Sequence, residues 1–174
     1  YKVRGLVCEP RGDRAALKTW ADELVMCNGV DMDVTIEDVF LKETAVGARD
    51  WGEELMLHVC SGFYTFKLLK INQGSKGGLQ YHRLKDECAF VVSGDLLIRY
   101  DLNDGQGLQE RILSAGAAVR FPPGLVHQEE AITDVTLIEA STPHLNDRVR
   151  VENSYGFPQD AGLPTTQEDE IKLL

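Results

Sequence analysis

After about residue 33 the pattern of apolar and polar positions is one of short β-rich runs. "VTIEDVFLKETAV", "EELMLHVCSG", "FYTFKLLKI", "CAFVVSG", "DLLIRYDL", "AAVRFPPG" and "VTLIEAS" are punctuated by Gly, Pro, Asn or Asp. Such runs, bounded by turn residues, predict strands. Many short strands with regular turn signals predict an all-β sandwich or barrel. "LNDGQG", residues 102–107, predicts a hairpin. The pattern before about residue 33 is different. Residues 2–8 read as a short strand and residues 11–29 as a helix, with Asp13 as N-cap, Leu17, Trp20 and Leu24 at helical spacing, and Asn28-Gly29 as the stop. The organisation expected is a strand-helix extension over 1–40, a barrel over 41–156 and an arm over 157–174 carrying Pro158 and Pro164.

Composition narrows the function. The 174 residues suit one domain with a real core. No apolar run reaches the length of a membrane-spanning helix, and no signal-peptide hydrophobic region is visible, so no membrane partner is expected. A net charge of −10 disfavours binding to a nucleic-acid backbone. It does not bar a small anionic substrate, which a few local cations can hold. Cys8, Cys27, Cys60 and Cys88 form no CxxC pair and read as reduced thiols, which points to the cytoplasm.

The chemistry concentrates in "GSKGGLQYHRLKDECAFVVSGD", residues 74–95, where Gln80, His82 and Glu87 fall within eight residues of a chain that has four histidines. Gln80 and His82 share one face of a strand. Glu87 follows the turn at "LKD" and opens the next strand, which can run back beside the first. His127 follows the tight "PPGLVH" bend. Four donors from neighbouring strands can so converge inside a small barrel. Two imidazoles, a carboxylate and an amide oxygen suit Zn²⁺, and also Mn²⁺, Fe²⁺, Co²⁺ or Ni²⁺. His58 and His144 read instead as a core or surface histidine and a loop histidine.

The spacing of these residues resembles the two motifs of the cupin superfamily, G-x5-H-x-H-x(3,4)-E-x6-G and G-x5-P-x-G-x2-H-x3-N. The first runs from Gly74 to Gly94 with Gln80 in place of the first histidine. The second runs from Gly116 through Pro122, Gly124 and His127 to Ala131, which stands in place of the asparagine. The resemblance implies a double-stranded β-helix, or jelly-roll, barrel with one divalent metal ion held by Gln80, His82, Glu87 and His127. The Gln-x-His, Glu, His set resembles that of phosphomannose isomerases, and "LIEASTPHLNDRVRVENSYG", residues 137–156, resembles the ending of the bifunctional mannose-6-phosphate isomerases. That likeness implies aldose–ketose isomerisation or epimerisation of a sugar or sugar phosphate. Glu139 or Glu129 would be the general base, and Lys67 and Arg150 the cations near a phosphorylated substrate. Lys85 and Arg83 are expected to face solvent. An Fe²⁺-dependent dioxygenase and a non-catalytic small-molecule-binding cupin are the alternatives. A homodimer is expected, because open sandwiches protect their edge strands by pairing, and "VTIEDVFLKETAV" is the candidate for exchange across the interface.

Overall fold

The computed structural model describes residues 45–60, 62–159 and 165–171, all within one compact unit, Leu41–Leu174. The expected N-terminal strand and helix, and most of "VTIEDVFLKETAV", lie outside the described residues. The strands are β1 (Ala45–Arg49), β2 (Gly52–Cys60), β3 (Tyr64–Ile71), β4 (Gln80–His82), β5 (Glu87–Ser93), β6 (Asp95–Asp101), β7 (Gln109–Ser114), β8 (Ala118–Phe121), β9 (Val126–Ala131), β10 (Val135–Ser141) and β11 (Arg148–Arg150). One six-stranded sheet has the order β1-β2-β3-β10-β5-β8 and one five-stranded sheet the order β11-β4-β9-β6-β7. All pairings are antiparallel. This is the expected all-β jelly-roll. The "LNDGQG" hairpin joins β6 to its partner β7.

Alternation decides the two ends of the interior. On β5, Glu87, Ala89 and Val91 are buried while Cys88, Phe90 and Val92 are exposed. On β10, Val135, Leu137 and Ser141 point inward. Val91, Leu96, Ile98, Leu113, Phe121, Ala131, Val135 and Leu137 close one half of the barrel as an apolar core. Each fully buried Leu or Val there contributes about 1.5–3 kcal/mol. The other half is lined by Thr65, Lys67, His82, Lys85, Glu87, His127 and Ser141, all buried. Thr65 and Ser141, directly opposed across β3 and β10, join their hydroxyls at 2.7 Å.

The chain passes from one sheet to the other at Gly94, the single residue between β5 and β6. Its φ of +86° belongs to the left-handed region, and a Cβ there would stand 2.2 Å from the Asp134 carbonyl oxygen. A side chain is excluded twice over, by torsion and by space. This is the last glycine of the first motif, and it aims β6 across the core from β5. Glu87 is not beside the Gln80–His82 strand: β4 lies in the five-stranded sheet and β5 in the six-stranded one. The turn at "LKD" crosses the sandwich, and the carboxylate meets the imidazoles from the opposite wall.

Candidate metal centre

His82 on β4, His127 on β9 and Glu87 on β5 bring one ligand atom each within 4.8 Å of one another, all three residues buried. Gln80 and His127 are directly opposed across β4 and β9, so their side chains share a face. Gln80 and His82, two apart on β4, share it too. The four sequence-predicted donors therefore belong to one end of the cavity.

Each imidazole is oriented by its other nitrogen. His82 Nδ1 lies 2.7 Å from Asp147 Oδ1, and His127 Nδ1 lies 3.0 Å from the Leu125 carbonyl. An acceptor at Nδ1 favours the Nδ1–H tautomer and leaves the Nε2 lone pair free. Both Nε2 atoms turn toward Glu87 Oε2, at 3.6 Å from His82 and 3.7 Å from His127. Burial holds His127 below the usual histidine value, with Glu87 and the Leu125 carbonyl opposing, which keeps it neutral. The His127 ring stacks on Phe121 with centroids 4.2 Å apart, on the border of the apolar core. Burial opposes charge on Glu87, but Lys85, then His82 and His127, hold its carboxyl below the usual range. Two lone pairs and one carboxylate oxygen aimed at a common point fit a divalent ion of the Zn²⁺ type, and Gln80 stands where it could supply a fourth, weaker donor.

Asp147 was not singled out by motif spacing. It is fully buried, and besides His82 its Oδ2 accepts the backbone N–H groups of Leu84 and Lys85, both at 2.7 Å. Burial opposes its charge, but these three donors hold its carboxyl at about 2. The signal for it is the first acid of the "D-x-V-R-x-E" ending, residues 147–152.

Lys85 corrects a sequence expectation. It does not face solvent; it is 5% exposed and reaches inward to Glu87 Oε1 and, at 3.5 Å, to Glu139 Oε1. The short "RLKD" turn carries its side chain under the sheet rather than away from it. Burial opposes its charge, but Glu139 and Glu87 hold the ammonium above the usual lysine value. The two oxygens of Glu87 are thus divided, Oε1 to Lys85 and Oε2 to the imidazoles. Arg83, half-buried, donates to the Thr166 carbonyl at 2.8 Å.

The proposed catalytic residues sit around this centre. Glu139 on β10 is directly opposed to Lys67 on β3 and to Ala89 on β5. Lys67 is buried, 3.5 Å from Glu139 and 3.0 Å from Glu54. A chain of alternating charges, Glu54–Lys67–Glu139–Lys85–Glu87, so crosses the interior from β2 to β5. Glu129 follows His127 by two residues on β9 and is opposed to the core residue Ile98, so it faces the same cavity. Burial, reinforced by Glu87 and Glu139, pushes its carboxyl up to about 8. Arg150 on β11 is opposed to Gln80, and its guanidinium is engaged by Glu152, with Nε 2.8 Å from Oε1. The same Glu152 oxygen accepts Leu79 N–H at 3.0 Å. His58 packs on Tyr64 with centroids 5.7 Å apart, and His144 pairs with the Thr142 hydroxyl at 3.1 Å; neither joins the centre.

Residues 67–144 match the family described as Cupin domain. Among solved structures, the capsular polysaccharide assembling protein CapF from Staphylococcus aureus aligns with a TM-score of 0.55 at 23% identity, covering 64% of this chain and 32% of that one. CapF with the inhibitor 3-isopropenyl-tropolone aligns with a TM-score of 0.56 at 22% identity, covering 64% of this chain and 35% of that one. An RmlC-like cupin from Shewanella frigidimarina aligns with a TM-score of 0.52 at 22% identity, covering 62% of this chain and 91% of that one. The chain thus aligns with about a third of the CapF chain. No curated protein matches. The domain match covers less than half of the chain, and the likeness to these solved structures is one of fold, the shared barrel. Among the described residues no helix is long and apolar enough to cross a membrane.

Proposed function

We propose that this protein is a divalent-metal-dependent cupin enzyme acting on a sugar or sugar phosphate as an aldose–ketose isomerase or epimerase. One observation carries the reading. Two carboxyl groups, Glu129 from the five-stranded sheet and Glu139 from the six-stranded sheet, border the same three-donor centre in opposite electrostatic settings. Moving a proton between adjacent carbons needs one group to take it and another to supply one at oxygen. Glu139, between two ammonium groups, is the proton acceptor. Glu129, pushed up to about 8, holds a proton at neutral pH and is the donor. Lys67 and Lys85 keep the acceptor in place. His82, Glu87 and His127, with Gln80, would hold the ion, preferably Zn²⁺, and when bound it supplies Lewis-acid polarisation of a carbonyl. The protein is taken to work in the cytoplasm as a homodimer.

The test is incubation of zinc- or manganese-loaded protein with a panel of aldose and ketose sugars and their phosphates in deuterated water. Deuterium appearing at the carbon next to the carbonyl in a protein-dependent manner, and lost in Glu139→Gln, supports the reading. No exchange on any member, or oxygen uptake by the iron-loaded protein in its place, overturns it.

A further inference from the structure

The interior is rich in cations, yet nearly all are spoken for. Lys67 lies against Glu54 and Glu139, and Lys85 against Glu87 and Glu139. Arg150 is engaged by Glu152. Arg148 differs. It is directly opposed to His82 across β11 and β4, so its side chain leaves the sheet on the same face as a metal-centre imidazole, one strand away. Strand neighbours of this kind have Cα atoms about 4.5–5.5 Å apart. Its Nε is fully enclosed and has no hydrogen-bond partner, and among the described residues no carboxylate forms a salt bridge with it. The backbone around it is secured, with Thr166 N–H donating to the Arg148 carbonyl at 2.8 Å.

Arg148 is half-buried, and an enclosed Nε–H without an acceptor is costly, because its lost hydration is not replaced. Burial, and next Arg150, pull its affinity for the proton below the usual arginine value; Glu87 opposes them and Arg49 adds to them. Arginine remains charged under these conditions. A planar fork of donors, unmatched by protein and placed beside a candidate metal centre, is suited to a ligand oxyanion.

We propose that Arg148 is the anion-binding residue of the ligand site, receiving the carboxylate or phosphate of a small polyhydroxylated substrate whose other oxygens face the centre formed by His82, Glu87 and His127. This rests on the reading of that centre as a ligand site, and it narrows the substrate class to anionic sugar derivatives. It also transfers the anion-binding role from Lys67 and Arg150, which the charge pairs occupy, to a residue that no motif marks.

The experiment is calorimetric titration of the metal-loaded and metal-free wild type, Arg148→Gln and Arg148→Lys with inorganic phosphate, glucuronate, glucose 6-phosphate and neutral glucose, with metal content measured in parallel. The wild type binds one or more of the three anions more tightly than glucose. Arg148→Gln loses affinity for that anion on the order of ten- to a hundredfold while keeping its metal content. Arg148→Lys, which retains the charge but not the fork, falls between them. Preference for glucuronate or for the phosphates distinguishes carboxylate from phosphate. Equal anion affinity in wild type and Arg148→Gln, or no preference for the anions over glucose, overturns the proposal. Metal-free protein that still distinguishes anion from glucose through Arg148 supports the proposal even if the metal reading fails.

Discussion

His82 Nδ1 and Asp147 Oδ1 stand 2.7 Å apart, both side chains buried, and this one hydrogen bond decides which nitrogen of His82 is left to face Glu87 and His127. Partners of this kind orient a ligating ring, and their loss costs about ten- to a hundredfold in metal affinity. Asp147→Ala should weaken Zn²⁺ binding by that order in competition with a chromophoric chelator, although Asp147 itself touches no ion. His82→Ala should lose most of the metal outright, and Gln80→Ala less, because an amide oxygen is the weakest of the four donors.

Asp147 also predicts an acid limit. Its carboxyl is held at about 2 against an ordinary 3.8. Between these values the unfolded chain binds the proton more readily than the folded one, so stability falls as pH drops through this window. The contribution is fully present above about pH 4 and gone below about pH 2. Urea unfolding of metal-free protein between those limits should show a steeper acid loss for wild type than for Asp147→Asn.

Glu129 has the opposite sign. Its folded carboxyl is raised to about 8 from 4.5, so between these values the folded state holds a proton that the unfolded chain has released. Metal-free protein should therefore lose stability as pH rises from the lower value to the upper. Glu129→Gln, neutral at every pH, should flatten that slope. An unchanged slope in the variant would mean the carboxyl ionises in the fold without penalty.

Removing Lys85 leaves Glu87 and Glu139 facing each other without the ammonium between them. Lys85→Met should destabilise the metal-free protein by about 3–5 kcal/mol, the order seen when one partner of a buried ion pair is deleted. Adding Glu139→Gln should recover part of that loss. A Lys85→Met variant as stable as wild type in chemical denaturation would show the pair to be dispensable.

Gly94→Ala should destabilise by more than about 1 kcal/mol, since alanine is strained at positive φ and its Cβ would run into the Asp134 carbonyl. Thermal unfolding measures it.

Short β-rich runs between turn residues determined that residues beyond the first forty make strands, because strand propensity and turn chemistry are local; which face of β5 turns inward was not legible, since Phe90 and Val92 are exposed while Glu87 is buried. Motif spacing brought Gln80, His82, Glu87 and His127 to one end of the cavity, since glycines such as Gly94 have local torsional reasons to sit where they do. What spacing could not decide is which wall of the sandwich each donor comes from: β4 and β5 are near in sequence and lie in different sheets. Nor could it turn Lys85 inward, because a lysine in a turn reads as solvated until Glu87 and Glu139 from two strands enclose it. Asp147 and Arg148 lie 65 and 66 positions beyond His82 and meet it only because β11 pairs with β4. Residues that orient a ligand or neutralise charge act through space, and only the packed barrel decides who their neighbours are.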